Sequence, residues 1–155
     1  MDFKLKTRRP GLPGRNTCEC HSDTRFEGEP LTYRHWRLPN RKAVFEYVHS
    51  LGDEASEWLC ALYVDEGLNL LAVETVAVGD VGNVRVDFGS IICRGRSQGA
   101  AGFILVHNHP SGDPTPSDAD KQVTVRLRHV SEQMEMPLLD HFIVAGDRME
   151  PVGEW

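Results

Sequence analysis

The sequence predicts a mixed α/β fold in which helices flank a central mixed β-sheet. Three observations point to it. Four apolar runs of strand length occur: Trp58 to Val64, Leu68 to Val78, Ala100 to Val106 and Leu138 to Val144. Stretches with apolar residues at helical spacing lie between and before them. The two kinds interleave without strict alternation, which favours a mixed sheet over a doubly wound parallel one. With 155 residues, 40% hydrophobic and 26% charged, the chain suits one domain with its own core.

Residues 1–35 combine Pro10, Pro13 and Pro30 with glycines and charges and show no apolar period, so a flexible arm is expected ahead of a domain at 36–155. The arm is basic: residues 1–25 hold six Lys/Arg against three Asp/Glu, and the rest of the chain holds eleven against twenty. Next, Asn40 is a good N-cap for a helix of about three turns carrying Ala43, Val44, Tyr47, Val48 and Leu51, which Gly52 would close in the left-handed conformation. Trp58 to Val64 reads as a strand, Asp65-Glu66-Gly67 as a tight turn, and Leu68 to Val78 as a second strand buried on both faces, making a hairpin. Phe88, Ile91 and Ile92 mark a short helix weakened by Gly89 and Gly95, and Ala100 to Val106 is a buried strand. A longer helix runs from about Pro116 to Met134, with Thr115 as N-cap and proline at its first position. Leu138 to Val144 is the last strand.

Several classes are disfavoured. No apolar run approaches the roughly 20 residues needed to span a bilayer. The start, MDFKLKTRRPGLPGR, lacks the apolar stretch of a secretory signal, so a cytoplasmic protein without membrane partners is expected. Cys18, Cys20, Cys60 and Cys93 show no framework spacing, and the last two have apolar neighbours, so disulfides are not expected. The Cys18-Glu19-Cys20-His21 cluster has ligand residue types but no second pair at finger-like spacing, and reads as part of the arm. Because the body is acidic, nucleic acid has only the basic arm to contact and is not a favoured partner.

Chemistry concentrates in HNHPSGDPTPSDAD, residues 107 to 120. Alternate residues of an extended segment share a face, so His107 and His109 can point the same way from the end of a strand. Pro110, Gly112, Pro114 and Pro116 then turn the chain toward a helix on which Ser117, Asp120, Val123, Leu127, Val130 and Met134 form one inward stripe. A buried aspartate needs a partner, and two neutral imidazoles with a divalent cation supply one while leaving a coordination position for water. Zn²⁺ suits His107, His109 and Asp120 best. In LNLLAVETVAV the one ionisable side chain is Glu74, on the face of Leu70, Ala72, Val76 and Val78, where burial would raise its pKa toward that of a general acid/base. Ser117 serves either as an oxyanion donor or as a simple helix cap.

The arrangement H-x-H-P, six residues, Ser, two residues, Asp, with Glu74 upstream, resembles the JAMM (MPN+/JAB) metalloprotease motif. HNHPSG, with DHFIV at 140 to 144 and VETVAVG at 73 to 79, is similar to the RadC-like JAB domains of bacteria, a likeness running from about Asn40 to the C-terminus. It implies a JAB/MPN-like sheet between helices, one zinc held by His107, His109 and Asp120, Glu74 as general acid/base and Ser117 as oxyanion support. It also implies cleavage of peptide or isopeptide bonds, in some relatives near ubiquitin-like modifiers. The alternatives are a DNA-repair-associated or protein-interaction module with a structural metal, and a small-molecule amidase. RadC-like proteins usually carry an N-terminal helical domain, whereas here a short arm precedes the JAB region, and Gly89 stands where an arginine is usual. A metallo-β-lactamase pattern fails at Ser111 and Gly112, and a deaminase pattern lacks its C-x-x-C.

Overall fold

The computed structural model describes residues 36–79 and 86–153. The arm at 1–35, with its Cys18–His21 cluster, lies outside the described residues. The elements run α1 (Arg41–Val48), a 3₁₀ segment (His49–Asp53), β1 (Trp58–Val64), β2 (Leu70–Val78), α2 (Phe88–Ser97), β3 (Gly102–Asn108), α3 (Asp118–Gln133), β4 (Leu138–Ala145) and β5 (Arg148–Pro151). The strands form one sheet in the order β2-β1-β3-β4-β5, with β3 and β4 parallel and the other neighbours antiparallel. The mixed sheet with flanking helices is thus the expected class.

Two apolar clusters sandwich the sheet. One face packs Cys60, Leu62, Val64, Ile104, Val106, Phe142 and Val144 against Val44, Val48 and Leu51 from α1 and the 3₁₀ segment. The other packs Leu59, Ala61, Tyr63, Phe103 and Leu105 against Ile91 and Ile92 of α2 and Leu127 of α3. Every residue of β3 is buried, because helices cover both of its faces. This strand carries His107 and Asn108, so the motif begins inside the sheet.

Several local expectations change. Asn40 caps α1 as read, its Oδ1 accepting from Ala43 N at 3.0 Å, but the helix gives way to a 3₁₀ turn, and Gly52 is not in the left-handed region. Close packing demands this glycine: a Cβ on it would lie 2.5 Å from Gly146 O. Leu68 belongs to the turn, with φ 60°, because Asp65 Oδ1 accepts from Gly67 N and Asn69 N and curls the chain there. Strand β2 is half-buried at the sheet's end and not covered on both faces. Its register with β1 is interrupted between Leu59 and Cys60 and between Tyr63 and Val64. Leu70 therefore joins the first cluster and Ala72 the second, so Glu74 does not share a face with Leu70.

Helix α3 starts later than Thr115–Pro116 suggests. Ser117 is the N-cap, and Ser117 with Asp120 forms a capping box that satisfies both backbone donors, which outcompetes a start at proline. The buried stripe is Asp120, Thr124, Leu127 and Ser131, while Met134 is exposed. Cys60 is buried, its thiol pushed up to about 12 by burial, whereas Cys93 is exposed despite its apolar neighbours in sequence. Strand β5 has no apolar run to announce it; it is read only as the partner of β4. No helix among the described residues is long and apolar enough to cross a membrane.

Candidate metal centre

Strand alternation puts His107 on the face of Leu105, beneath α3, and the turn after Asn108 brings His109 beside it. The two rings meet edge to face with centroids 4.9 Å apart. Gly112, at φ 81°, and the prolines fold the chain back so that α3 begins next to them. In the first turn of α3 the carboxylate of Asp120 is buried between the two rings. Its Oδ1 lies 3.0 Å from His107 Nδ1 and its Oδ2 3.5 Å from His109 Nε2. The three sequence-predicted ligands therefore converge, and one donor atom from each lies within 4.8 Å of the other two.

These residues fit a divalent cation. Ligands about 2.0–2.1 Å from a tetrahedral zinc stand about 3.3 Å apart; the Asp120 carboxylate lies near this spacing from each histidine, at 3.0 and 3.5 Å, and the set of three donors within 4.8 Å could draw together around an ion. His109 donates from Nδ1 to Asp113 O at 2.9 Å, which leaves the Nε2 lone pair facing Asp120. His107 Nε2 is buried and makes no hydrogen bond, an expensive state for an imidazole nitrogen without a further partner. The carboxylate is kept ionised: burial opposes it, but hydrogen bonds from His107 and Ser117 and the charge of His107 prevail, and Asp120 sits well below the usual carboxylate range.

Ser117 is exposed at the helix start, and its Oγ both donates to Asp120 Oδ2 and accepts from Asp120 N at 3.1 Å. Here it caps the helix and holds the carboxylate. Glu74 is placed elsewhere. It pairs with Ala61, which faces Leu105, so it stands back along the sheet from His107. Its Oε2 accepts from Tyr63 Oη at 2.9 Å and lies 3.6 Å from Arg94 Nε. Burial, then the nearby Glu74 charge, raises the Tyr63 phenol above its ordinary range, so it remains a donor.

The carboxylate brought to the cluster is one the sequence reading missed. Glu57 immediately precedes β1, in which Leu59 pairs with His107. Glu57 Oε2 lies 3.9 Å from His107 Nε2, and its side chain is one third exposed. No local signal marked it: Glu57 comes beside His107 only through the long-range pairing of β1 with β3. His141, next to Asp140 in DHFIV, suits a structural or supporting role and not that of a ligand. It is buried in β4, its Nδ1 2.7 Å from Thr124 Oγ1, which in turn donates to Asp120 O at 2.6 Å. Burial pushes its pKa down to about 3.

A mixed sheet between helices, with two histidines leaving one strand and an aspartate on the next helix, defines a JAB-type domain with a candidate metal site. Residues 38–151 match the RadC-like JAB domain family, and the chain belongs to that family. It is 38% identical over 111 residues to a UPF0758 protein of Aquifex aeolicus (strain VF5), covering 72% of this chain and 48% of that protein. It is likewise 38% identical over 112 residues to a UPF0758 protein of Chlorobaculum parvum, covering 72% and 50%. A UPF0758 protein of Rhodobacter capsulatus is 37% identical over 112 residues, covering 72% and 52%. The chain thus spans about half the length of the curated relatives it matches.

Proposed function

We propose that this chain is a zinc-dependent hydrolase of amide bonds, a peptidase or isopeptidase of the JAMM type acting on a peptide or protein substrate. The observation that carries the reading is the convergence of His107, His109 and Asp120 beside the carboxylate of Glu57. A zinc ion held by the three residues would supply Lewis acidity, lowering the pKa of water toward 7 and polarising a substrate carbonyl.

The residues of the chain do the rest. Glu57, partly open to solvent, takes the proton of the attacking water and returns it to the departing amine. Burial of Asp120 and His107 excludes bulk water and keeps their interaction strong. Ser117 and the Asp113 carbonyl fix Asp120 and His109 in orientation. The Ser117 hydroxyl becomes an oxyanion donor only after releasing Asp120, so holding the ligand is its first role.

The test joins metal content to turnover. Wild type should bind about one zinc per chain and His107→Ala should lose it. Against a library of internally quenched peptides and isopeptides, Glu57→Gln should keep the metal and lose about 10²–10⁴-fold in rate, the usual range for a general base. Glu74→Gln, the variant the sequence alone would single out, should lose far less. Metal-free wild type would overturn the site. A loaded chain that cleaves no amide, yet binds DNA in a salt-sensitive way through residues 1–25, would favour the nucleic-acid module instead.

A further inference from the structure

We infer that Asn108 is the positioning residue for Glu57, a role that rests on the reading of Glu57 as proton carrier. Asn108 stands between the two histidines of the candidate metal site, so strand alternation sends its side chain to the opposite face of the sheet. It is fully buried there. Its carboxamide makes three hydrogen bonds, all to backbone some 50 residues earlier in the chain. Oδ1 accepts from Trp58 N at 2.6 Å, and Nδ2 donates to Ser56 O at 3.0 Å and Glu54 O at 3.3 Å.

Those partners bracket Glu57 on both sides. The Glu57 carbonyl is itself held, accepting from Gly79 N at 2.9 Å. The segment 54–57 precedes β1 and has no strand ladder of its own, so these bonds set where its carboxylate emerges. The task requires a donor and an acceptor in one short planar group, which among side chains of this size asparagine alone presents. Aspartate would place oxygen against two carbonyls, and serine is too short to span them. One tripeptide, His107-Asn108-His109, thus presents ligands on one face and a clasp on the other, and ties the general base to the metal cluster without touching it.

The test uses the whole 155-residue chain loaded with Co²⁺ and follows its visible absorption band with pH in wild type, Glu57→Gln, Asn108→Ala and the double variant. Glu57→Gln should move the midpoint of the spectral transition by about one pH unit. Asn108→Ala should move it in the same direction, and the double variant should add almost nothing, the signature of one residue acting through the other. Co²⁺ affinity, measured by chelator competition, should fall in Asn108→Ala by less than the roughly 10-fold that loss of a ligand's own support brings. Asn108→Ser, too short to span the three contacts yet burying no charge, replaces Asn108→Ala if the latter fails to fold. A midpoint unchanged in the folded Asn108 variant but shifted in Glu57→Gln overturns the positioning role alone, as does a shift in the double variant equal to the sum of the singles. An unchanged midpoint in Glu57→Gln, or a wild-type chain that takes up no Co²⁺, overturns the underlying reading and this inference with it.

Discussion

Asp120 has two carboxylate oxygens, and the structure divides them: Oδ1 faces His107, while Oδ2 faces His109 and takes the hydrogen bonds of the Ser117 hydroxyl and backbone N–H. Ser117→Ala removes a cap and the support of a candidate metal ligand together. It should cost about 1 kcal/mol of stability in urea denaturation and weaken zinc binding about 10–100-fold by titration against a chelator; unchanged affinity would show that Ser117 serves the helix only. His141 gives a pH prediction. Its folded pKa is depressed to about 3 from an ordinary 6.5, so below 6.5 the unfolded chain gains a proton that the fold refuses. Metal-free protein should therefore lose stability progressively as pH falls from 6.5 toward 3, with the Asp120 carboxylate adding a further loss at the acid end as it too protonates. Denaturation midpoints measured across that window in chelator-treated protein check the sign. A flat profile above pH 4 would show that His141 is not held neutral.

Elements meet closely where side chains are absent. The 3₁₀ segment touches the turn between β4 and β5 through Gly52, whose carbonyl accepts from Gly146 N at 3.1 Å. A methyl group on Gly52 would collide with backbone and not with a side chain that can swing away. Gly52→Ala should therefore destabilise by about 1–3 kcal/mol, the usual cost of overpacking, and denaturation would show no loss if the two elements can separate freely. Helix α3 is docked on β4 partly through polar groups, since Thr124 Oγ1 bridges Asp120 O and His141 Nδ1 inside the core. Thr124→Val keeps the shape but leaves the His141 Nδ1 buried and unpaired. The expected cost is about 1–3 kcal/mol, recovered by Thr124→Ser if the hydroxyl and not the methyl is responsible.

At the scale of the whole molecule, the proposed metal binding would be linked to folding. The candidate ligands come from β3, the loop after it and α3, so they assemble only in the folded chain. Zinc should raise stability by about 2.7 kcal/mol when its free concentration is 100 times its Kd, apart from any binding to the unfolded chain. Thermal melts with and without zinc should separate for wild type and coincide for Asp120→Ala. Coincidence in wild type would mean that the cluster holds no ion tightly.

The residues of the candidate metal cluster were legible because their signals are local. Two histidines one residue apart at the end of an apolar strand, followed by prolines and a helix start, are bound to lie close together whatever the rest of the chain does. The hairpin of β1 and β2, the burial of β3 and the cap at Asn40 follow from the same short-range patterns of burial and hydrogen bonding, whereas the order β2-β1-β3-β4-β5 does not. What the sequence did not disclose is which distant carboxylate joins them. Glu74 looked buried because its neighbours are apolar, but bulges shift the faces of β2, and the strand lies at the sheet's end where Tyr63 and Arg94 engage it. Glu57 looked like an ordinary charged residue in a loop. Its place beside His107 depends on the register of β1 against β3 and on Asn108 reaching across some 50 residues. Register and clasp arise from contacts between segments far apart in the chain, so only the tertiary structure decides them.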